Sequence, residues 1–218
     1  MPLLSPLCAI CDADACERAG WTLADFAAAC LDGGARFLQI RAKAASSRWL
    51  LETTQAVVRR AEGSGALVIV NDRADIARLA GAGGVHVGQE DLRPSAVRAI
   101  LGTASCIGLS THTPAQIEAA VGEPIDYLAI GPVFGTTTKA TGYEAIGLEG
   151  VHEASALTRA TNRPNIPIVA IGGITLDRAA EVLRAGAQSV AVISDLMSTG
   201  DPRVRVRAYL DLVRSVRL

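Results

Sequence analysis

Aromatic side chains are scarce, with Phe, Trp and Tyr together making up 4% of the residues. Neither sign of charge prevails: 21 Lys and Arg face 22 Asp and Glu, for a formal net charge of −1. That balance removes the electrostatic case for nucleic acid or an anionic membrane surface as partner. No apolar run approaches the ~18 residues that a membrane span requires. The opening "MPLLSPLCAICDAD" has no basic segment and meets aspartate too early for a signal peptide. The expectation is a cytoplasmic chain with no membrane and no nucleic-acid partner.

Other signatures are missing as well. The five cysteines (Cys8, Cys11, Cys16, Cys30, Cys106) are odd in number, and no second pair answers Cys8-x-x-Cys11 to complete a zinc set. On a strand, two side chains three positions apart also point to opposite faces. Reduced thiols buried as small apolar groups are therefore expected. The segment "CDADACERAG" after the first apolar run contains no G-x-G-x-x-G, which counts against a doubly wound dinucleotide fold, the second choice of architecture. No nucleophile elbow supports a Ser–His–acid triad.

What the chain does have is a regular rhythm. Half of it is apolar, and eight short apolar runs recur with helix-length spacers. They are "LCAIC" (7–11), "FLQIR" (37–41), "LVIV" (67–70), "GVHV" (84–87), "CIGLS" (106–110), "YLAIG" (127–131), "IVAIG" (168–172) and "SVAVIS" (189–194). Near-continuous apolarity is what parallel strands covered on both faces show. The spacers carry helix signals: Thr22-x-x-Asp25 reads as a capping box, and Pro94 and Pro114 fall where first turns begin, the latter behind Thr113. The segment 176–186 is amphipathic and ends at glycine. Eight such units in 218 residues predict a single-domain (β/α)8 TIM barrel of parallel strands covering 1–218.

In that fold, ligands meet the C-terminal ends of the strands. Strand two delivers Gln39, Arg41 and Lys43, which share a side while the chain stays extended, with Ile40 and Ala42 opposite. Two cations and an amide suit a phosphate or diphosphate; a solvated strand end with an ion pair fits as well. Strands three and four end in Asp72 and Asp91, and adjacent strands lie about 4.8 Å apart. Two converging carboxylates are a partial shell for Mg²⁺, or two unrelated helix caps. Strand five delivers Ser110, Thr111 and His112. Ser110 can donate a hydrogen bond into the mouth or take part in a cap. His112 reads as a base or, preferably, as a histidine hydrogen-bonded near a helix start. His86 and His152 are read as structural. Residues 132–147, with three consecutive threonines and a lysine, suit a lid or phosphate clamp. Gly172 and Gly173 let backbone amides approach a phosphate, or serve tight turns.

The residues "QIRAK", "VNDRADIA", "GVHVGQEDL", "IGLSTHT", "DYLAIGPVF", "TTTK", "PIVAIGGIT" and "GAQSVAVIS" follow one another at the spacing of the thiamine phosphate synthases. The chain resembles that family over nearly its whole length. The resemblance implies a Mg²⁺-dependent transferase that joins a hydroxymethylpyrimidine diphosphate to a thiazole phosphate and releases pyrophosphate. It implies that Gln39, Ile40, Arg41, Ala42, Lys43, Asn71, Ser110 and Lys139 hold the pyrimidine diphosphate, with Arg41, Lys43, Ser110 and Lys139 assisting departure of the leaving group. Asp72 and Asp91 become Mg²⁺ ligands. Thr136, Thr137, Thr138, Gly173, Ile193 and Ser194 become the thiazole phosphate site.

Two positions depart from the family pattern: Ala42 stands where glutamate is usual, and Gly135 where proline is common. A thiazole tautomerase of the same fold would have no need of the Asp72, Asp91, Arg41 and Lys139 set. A non-catalytic sensor of phosphate ligands is the remaining alternative. The sequence leaves open whether the protein is a homo-oligomer.

Overall fold

The computed structural model of the chain describes residues 4–135, 142–161 and 166–217. The eight apolar runs form the strands β1 (Leu7–Asp12), β2 (Phe37–Arg41), β3 (Leu67–Asn71), β4 (Gly84–Val87), β5 (Cys106–Thr111), β6 (Tyr127–Ile130), β7 (Ile168–Ile171) and β8 (Ser189–Val192). Each pairs in parallel with the next, and β8 closes on β1. Between them run α1 (Ala13–Arg18), α2 (Leu23–Asp32), α3 (Ser47–Ala61), α4 (Ala74–Ala80), α5 (Pro94–Leu101), α6 (Pro114–Val121), α7 (Gly147–Arg159) and α8 (Leu176–Arg184). A short 3₁₀ helix (Ser194–Met197) and α9 (Pro202–Arg217) follow. The architecture is the predicted (β/α)8 barrel. None of the described helices is long and apolar enough to cross a membrane.

Local chemistry sets where the helices start. Thr22 accepts from the Asp25 N–H at 3.1 Å and donates to the Asp25 carboxylate at 2.7 Å. Thr113 accepts from the Gln116 N–H at 3.3 Å, with Pro114 in the first turn. Each such cap satisfies one backbone donor that the helix itself leaves unpaired. Asp12 does the same for α1, accepting from the Ala15 N–H at 2.9 Å.

Strand parity divides the core into two layers. Cys8, Ile10, Phe37, Ile69, Tyr127, Ala129, Val169 and Ala191 fill the barrel interior. Cys11, Leu38, Ile40, Val68, Val70, Val85 and Val87 face the helices. Cys8 and Cys11 thus fall on opposite faces, and the cysteines are free thiols. Burial raises the Cys8 pKa far above its ordinary value, so the thiol stays protonated. Each fully buried large apolar side chain contributes about 1.5–3 kcal/mol relative to exposure.

At the N-terminal end of the barrel, Arg98 of α5 locks two strand entrances together. Its guanidinium donates to the Gly102, Ser105 and Pro124 carbonyls and pairs with Asp126 at 2.7 Å. Asp126 in turn accepts from the Ile107 N–H at 2.8 Å. Removing Arg98 strands a half-buried carboxylate and frees several carbonyls, at a cost of about 2 kcal/mol. Arg98→Ala is therefore expected to lower the urea midpoint while leaving chemistry at the opposite barrel end intact below the melting range; equilibrium unfolding monitored by circular dichroism measures it.

Candidate active site

A cavity of about 310 Å³ opens at the C-terminal ends of the strands. Because inward positions alternate, the strands present one residue after another to its wall: Gln39 and Arg41 from β2, Asn71 from β3, His86 from β4 and Ser110 from β5. Gly173 after β7 and Ile193 and Ser194 after β8 line its other side. The barrel thus brings Gln39, Arg41, Asn71, Ser110, Gly173, Ile193 and Ser194 to one cavity. The Ile40 side chain instead packs into the layer between barrel and helices, and Ala42 packs against that layer, which leaves their backbones for the mouth. Thr136, Thr137, Thr138 and Lys139 lie outside the described residues. Gly135 is described and lines the cavity.

The cations of β2 are already paired. Arg41 forms an ion pair and hydrogen bond with Asp12, whose residue is 3% exposed. The Arg41 Nε is buried without a partner among the described residues. The strand ends at Arg41, so Lys43 stands in the following turn rather than in alternation. Its Nζ lies 3.0 Å from an Asp72 carboxylate oxygen. Asp12 escapes a reading confined to the strand-end motifs; the parity of Cys8, Ile10 and Asp12 along β1 is the signal that marks it as inward.

Neither Asp72 nor Asp91 caps a helix. The residue preceding α4 is Arg73 and the residue preceding α5 is Arg93, and neither makes a side-chain cap. Asp72 is instead the one non-glycine residue with positive φ (63°) among the described residues. Aspartate tolerates that conformation better than most residues, at some cost in free energy. Its N–H donates to the His86 carbonyl at 2.7 Å. Asp91 accepts from the Gly88 N–H at 2.7 Å. Burial raises the Asp91 pKa above the ordinary aspartate value, and the Asp72 carboxylate beside it adds to the rise. The Gly88 N–H and Lys43 oppose it. No group of three or more His, Cys, Asp and Glu side chains arranged for a metal occurs among the described residues. A divalent cation held by this pair would draw its remaining oxygens from water or ligand.

Two histidines take different places. His112 hydrogen-bonds the Gly131 carbonyl through Nδ1 at 2.5 Å, stacks on Tyr143 at 4.0 Å, and its N–H donates to Gln116 at 2.7 Å. That is the anchored histidine near a helix start. His86 lines the cavity, with Nδ1 2.7 Å from the Tyr127 hydroxyl and Nε2 2.8 Å from Ser110 Oγ. No short sequence pattern joins these three residues. His152 is exposed on α7.

On the far side, Gly172 and Gly173 have φ of 105° and 61°. A Cβ on Gly172 would stand 2.6 Å from Pro132 Cα, and one on Gly173 would stand 2.6 Å from the Gly135 carbonyl. The two glycines thus serve a turn that packs tightly on the β6 loop. Beside them the 3₁₀ helix is fixed from below. Asp195 takes two hydrogen bonds from Arg205, at 3.0 and 2.9 Å, and one from the Tyr209 hydroxyl at 2.6 Å. These bonds hold the backbone at Ile193 and Ser194 in place.

The model of the thiamine monophosphate synthase family matches residues 7–196. The chain is 41% identical to the thiamine-phosphate synthase of Koribacter versatilis, over 97% of each chain. It is 43% identical to that of a Synechococcus strain, over 95% of this chain and 56% of the longer relative. Among solved structures, thiamine phosphate pyrophosphorylase from Pyrococcus furiosus superposes with a TM-score of 0.84 at 32% identity, over 98% of this chain and 96% of that one. Matching family model, relatives and architecture converge, and the chain belongs to the thiamine monophosphate synthase family.

Proposed function

We propose that this barrel is the whole catalytic unit of a thiamine phosphate synthase. It condenses 4-amino-5-hydroxymethyl-2-methylpyrimidine diphosphate with a thiazole phosphate, giving thiamine phosphate and pyrophosphate. The observation that carries the reading is the pair of adjoining carboxylates, Asp72 and Asp91, with Lys43 on Asp72, at the rim of a cavity into which Arg41, Asn71 and Ser110 point. Such a set suits a substrate that brings its own charge and needs a cation.

Mg²⁺ fits the donor set on its chemistry. Two hard carboxylate oxygens with remaining positions for water and diphosphate oxygens are its usual company. Two ionised carboxylates side by side in a half-buried site are unfavourable without a cation between them, as the raised Asp91 pKa reflects. When bound, Mg²⁺ neutralises negative charge developing on the departing pyrophosphate.

The protein's own groups do the rest. Arg41, Lys43 and Asn71 hold the diphosphate, Ser110 donates to it, and Lys139 adds a further cation. The bond between the pyrimidine methylene carbon and the diphosphate oxygen breaks first, with the electron pair leaving on pyrophosphate. The aminopyrimidine stabilises the resulting cation, and the thiazole nitrogen then forms the new C–N bond. Gly173, Ile193 and Ser194, with Thr136, Thr137 and Thr138, hold the thiazole phosphate so that its ring faces the cation. No protein nucleophile enters, so pre-arranged charge and position supply the catalysis.

The decisive experiment incubates purified protein with both substrates and Mg²⁺ and follows thiamine phosphate and pyrophosphate. Absence of product overturns the reading. Asp72→Ala and Asp91→Ala are each expected to reduce turnover at least about 100-fold while circular dichroism stays unchanged; Mg²⁺-independent turnover would refute the metal site.

A stability measurement tests the same pair without activity. A raised pKa in the folded state means that Asp91 contributes its stability below the unfolded value of about 4 and loses it as pH rises through the folded value. At pH 7 the ionised group therefore weighs against the fold. Metal-free Asp91→Asn is expected to melt higher than the parent at pH 7, with the difference closing toward pH 4, and to lose the melting shift that Mg²⁺ gives the parent.

A further inference from the structure

Below the mouth, Ser110 is the outer member of a chain of three side chains. Tyr127 is 1% exposed, and among the described residues its hydroxyl is hydrogen-bonded to His86 Nδ1, at 2.7 Å. The ring is packed between neighbouring strands. It packs edge-on against Phe37 (5.6 Å, 86°) and stacks with His86 (5.5 Å, 20°). Gly108 of β5 makes room for it: a Cβ there would stand 2.0 Å from Tyr127 Cζ.

Proton bookkeeping fixes the direction of the chain. A buried phenol must donate its O–H, because an unsatisfied donor is costly. Burial also raises the Tyr127 pKa well above its ordinary value, so the proton is there to donate. Nδ1 of His86 must therefore accept, which puts the ring proton of a neutral imidazole on Nε2. Nε2 lies 2.8 Å from Ser110 Oγ, so the serine oxygen accepts from it. An imidazolium would aim an Nδ1–H at the tyrosine O–H and strand one of the two donors. With its oxygen occupied from below, the Ser110 hydroxyl proton is left to point into the cavity. Gln89 steadies the same residue by donating to its carbonyl at 2.6 Å.

We infer that Tyr127 and His86 are positioning residues, which lock the Ser110 hydroxyl as a hydrogen-bond donor to the diphosphate of the pyrimidine substrate. The inference rests on the function proposed above and adds two residues to it. The donor is set before substrate arrives, so no hydroxyl rotation or imidazole protonation accompanies departure of the pyrophosphate. A hydrogen bond from a hydroxyl to an anionic oxygen is about twice as strong as a neutral one, and pre-orientation preserves that advantage in the transition state.

Two measurements test it. In the unaltered protein labelled with ¹⁵N-histidine, long-range ¹H–¹⁵N correlation at pH 7.5 should show His86 as the neutral Nε2–H tautomer, identified by loss of its signals in His86→Gln. An Nδ1–H tautomer or an imidazolium overturns the inference whatever the activity. In kinetics, Tyr127→Phe should lower kcat/KM for the pyrimidine diphosphate about 10-fold, through kcat, with KM for the thiazole phosphate unchanged. In a Ser110→Ala background the same substitution should have no further effect, because the group it orients is gone. His86→Gln, which keeps an N–H donor near Ser110, should retain more activity than His86→Leu. Additive penalties, or equal loss in the glutamine and leucine variants, overturn the relay. If the unaltered protein forms no product, the functional reading fails and the donor role falls with it, while the tautomer is still read independently.

Discussion

The hydrogen bond from the Asp72 N–H to the His86 carbonyl continues the pairing of β3 with β4 beyond the last strand residue of β3. Much of the mouth depends on it. Asp72 is drawn toward β4 just where its backbone turns into the left-handed region, which sets its carboxylate beside Asp91 and within reach of Lys43. The partner in that bond is His86, whose ring points the other way, into the barrel, toward Tyr127 and Ser110. One backbone contact therefore couples the proposed cation site at the rim to the donor chain in the interior. The same residue supplies both because its carbonyl lies along the ladder while its side chain lies across it.

The two cations at the end of β2 differ in how freely they can change partners. Arg41 is paired with a carboxylate that is almost wholly buried and that also caps α1. Separating that pair would leave an uncompensated buried charge, so Arg41 is a fixed feature of the cavity wall. Lys43 has a side chain 53% exposed and pairs with an Asp72 side chain that is 21% exposed. Such a pair contributes at most about 1 kcal/mol and can exchange partners readily. In the proposed reaction, an incoming diphosphate with its cation would meet one cation that stays and one that moves. Asp12 and Asp72 each have a cationic partner in the resting mouth, while Asp91 is held by the Gly88 N–H.

The fold was legible because its signal is local. Each buried parallel strand announces itself as a short apolar run, and β2 and β4 begin and end where the runs do. The last run, 189–194, extends two residues past β8, which ends at Val192 just ahead of the 3₁₀ helix. Closure then made Asp72 and Asp91 neighbours, as parity and strand spacing implied. The chain beneath them was not legible. His86 and Tyr127 are 41 positions apart, and their contact needs Gly108 from a third strand to vacate the space between. His86 accordingly looked structural. Gly172 and Gly173 illustrate the converse: a phosphate-loop pattern was readable, but their tight packing on Pro132 and Gly135 appears only in three dimensions.

The two ends of the barrel distribute free energy in opposite ways. At the N-terminal end, Arg98 meets four partners and leaves no obvious tension. At the mouth, Asp72 occupies an uncommon backbone region, Asp91 resists ionisation, and the Arg41 Nε has no partner among the described residues. Each departure opposes folding, and the raised Asp91 pKa has the sign that a bound dication would reverse, because a dication favours both carboxylates ionised. Unfavourable features gathered at one end of a fold are characteristic of a preorganised binding site. The well-satisfied end supplies the stability that lets the mouth retain them.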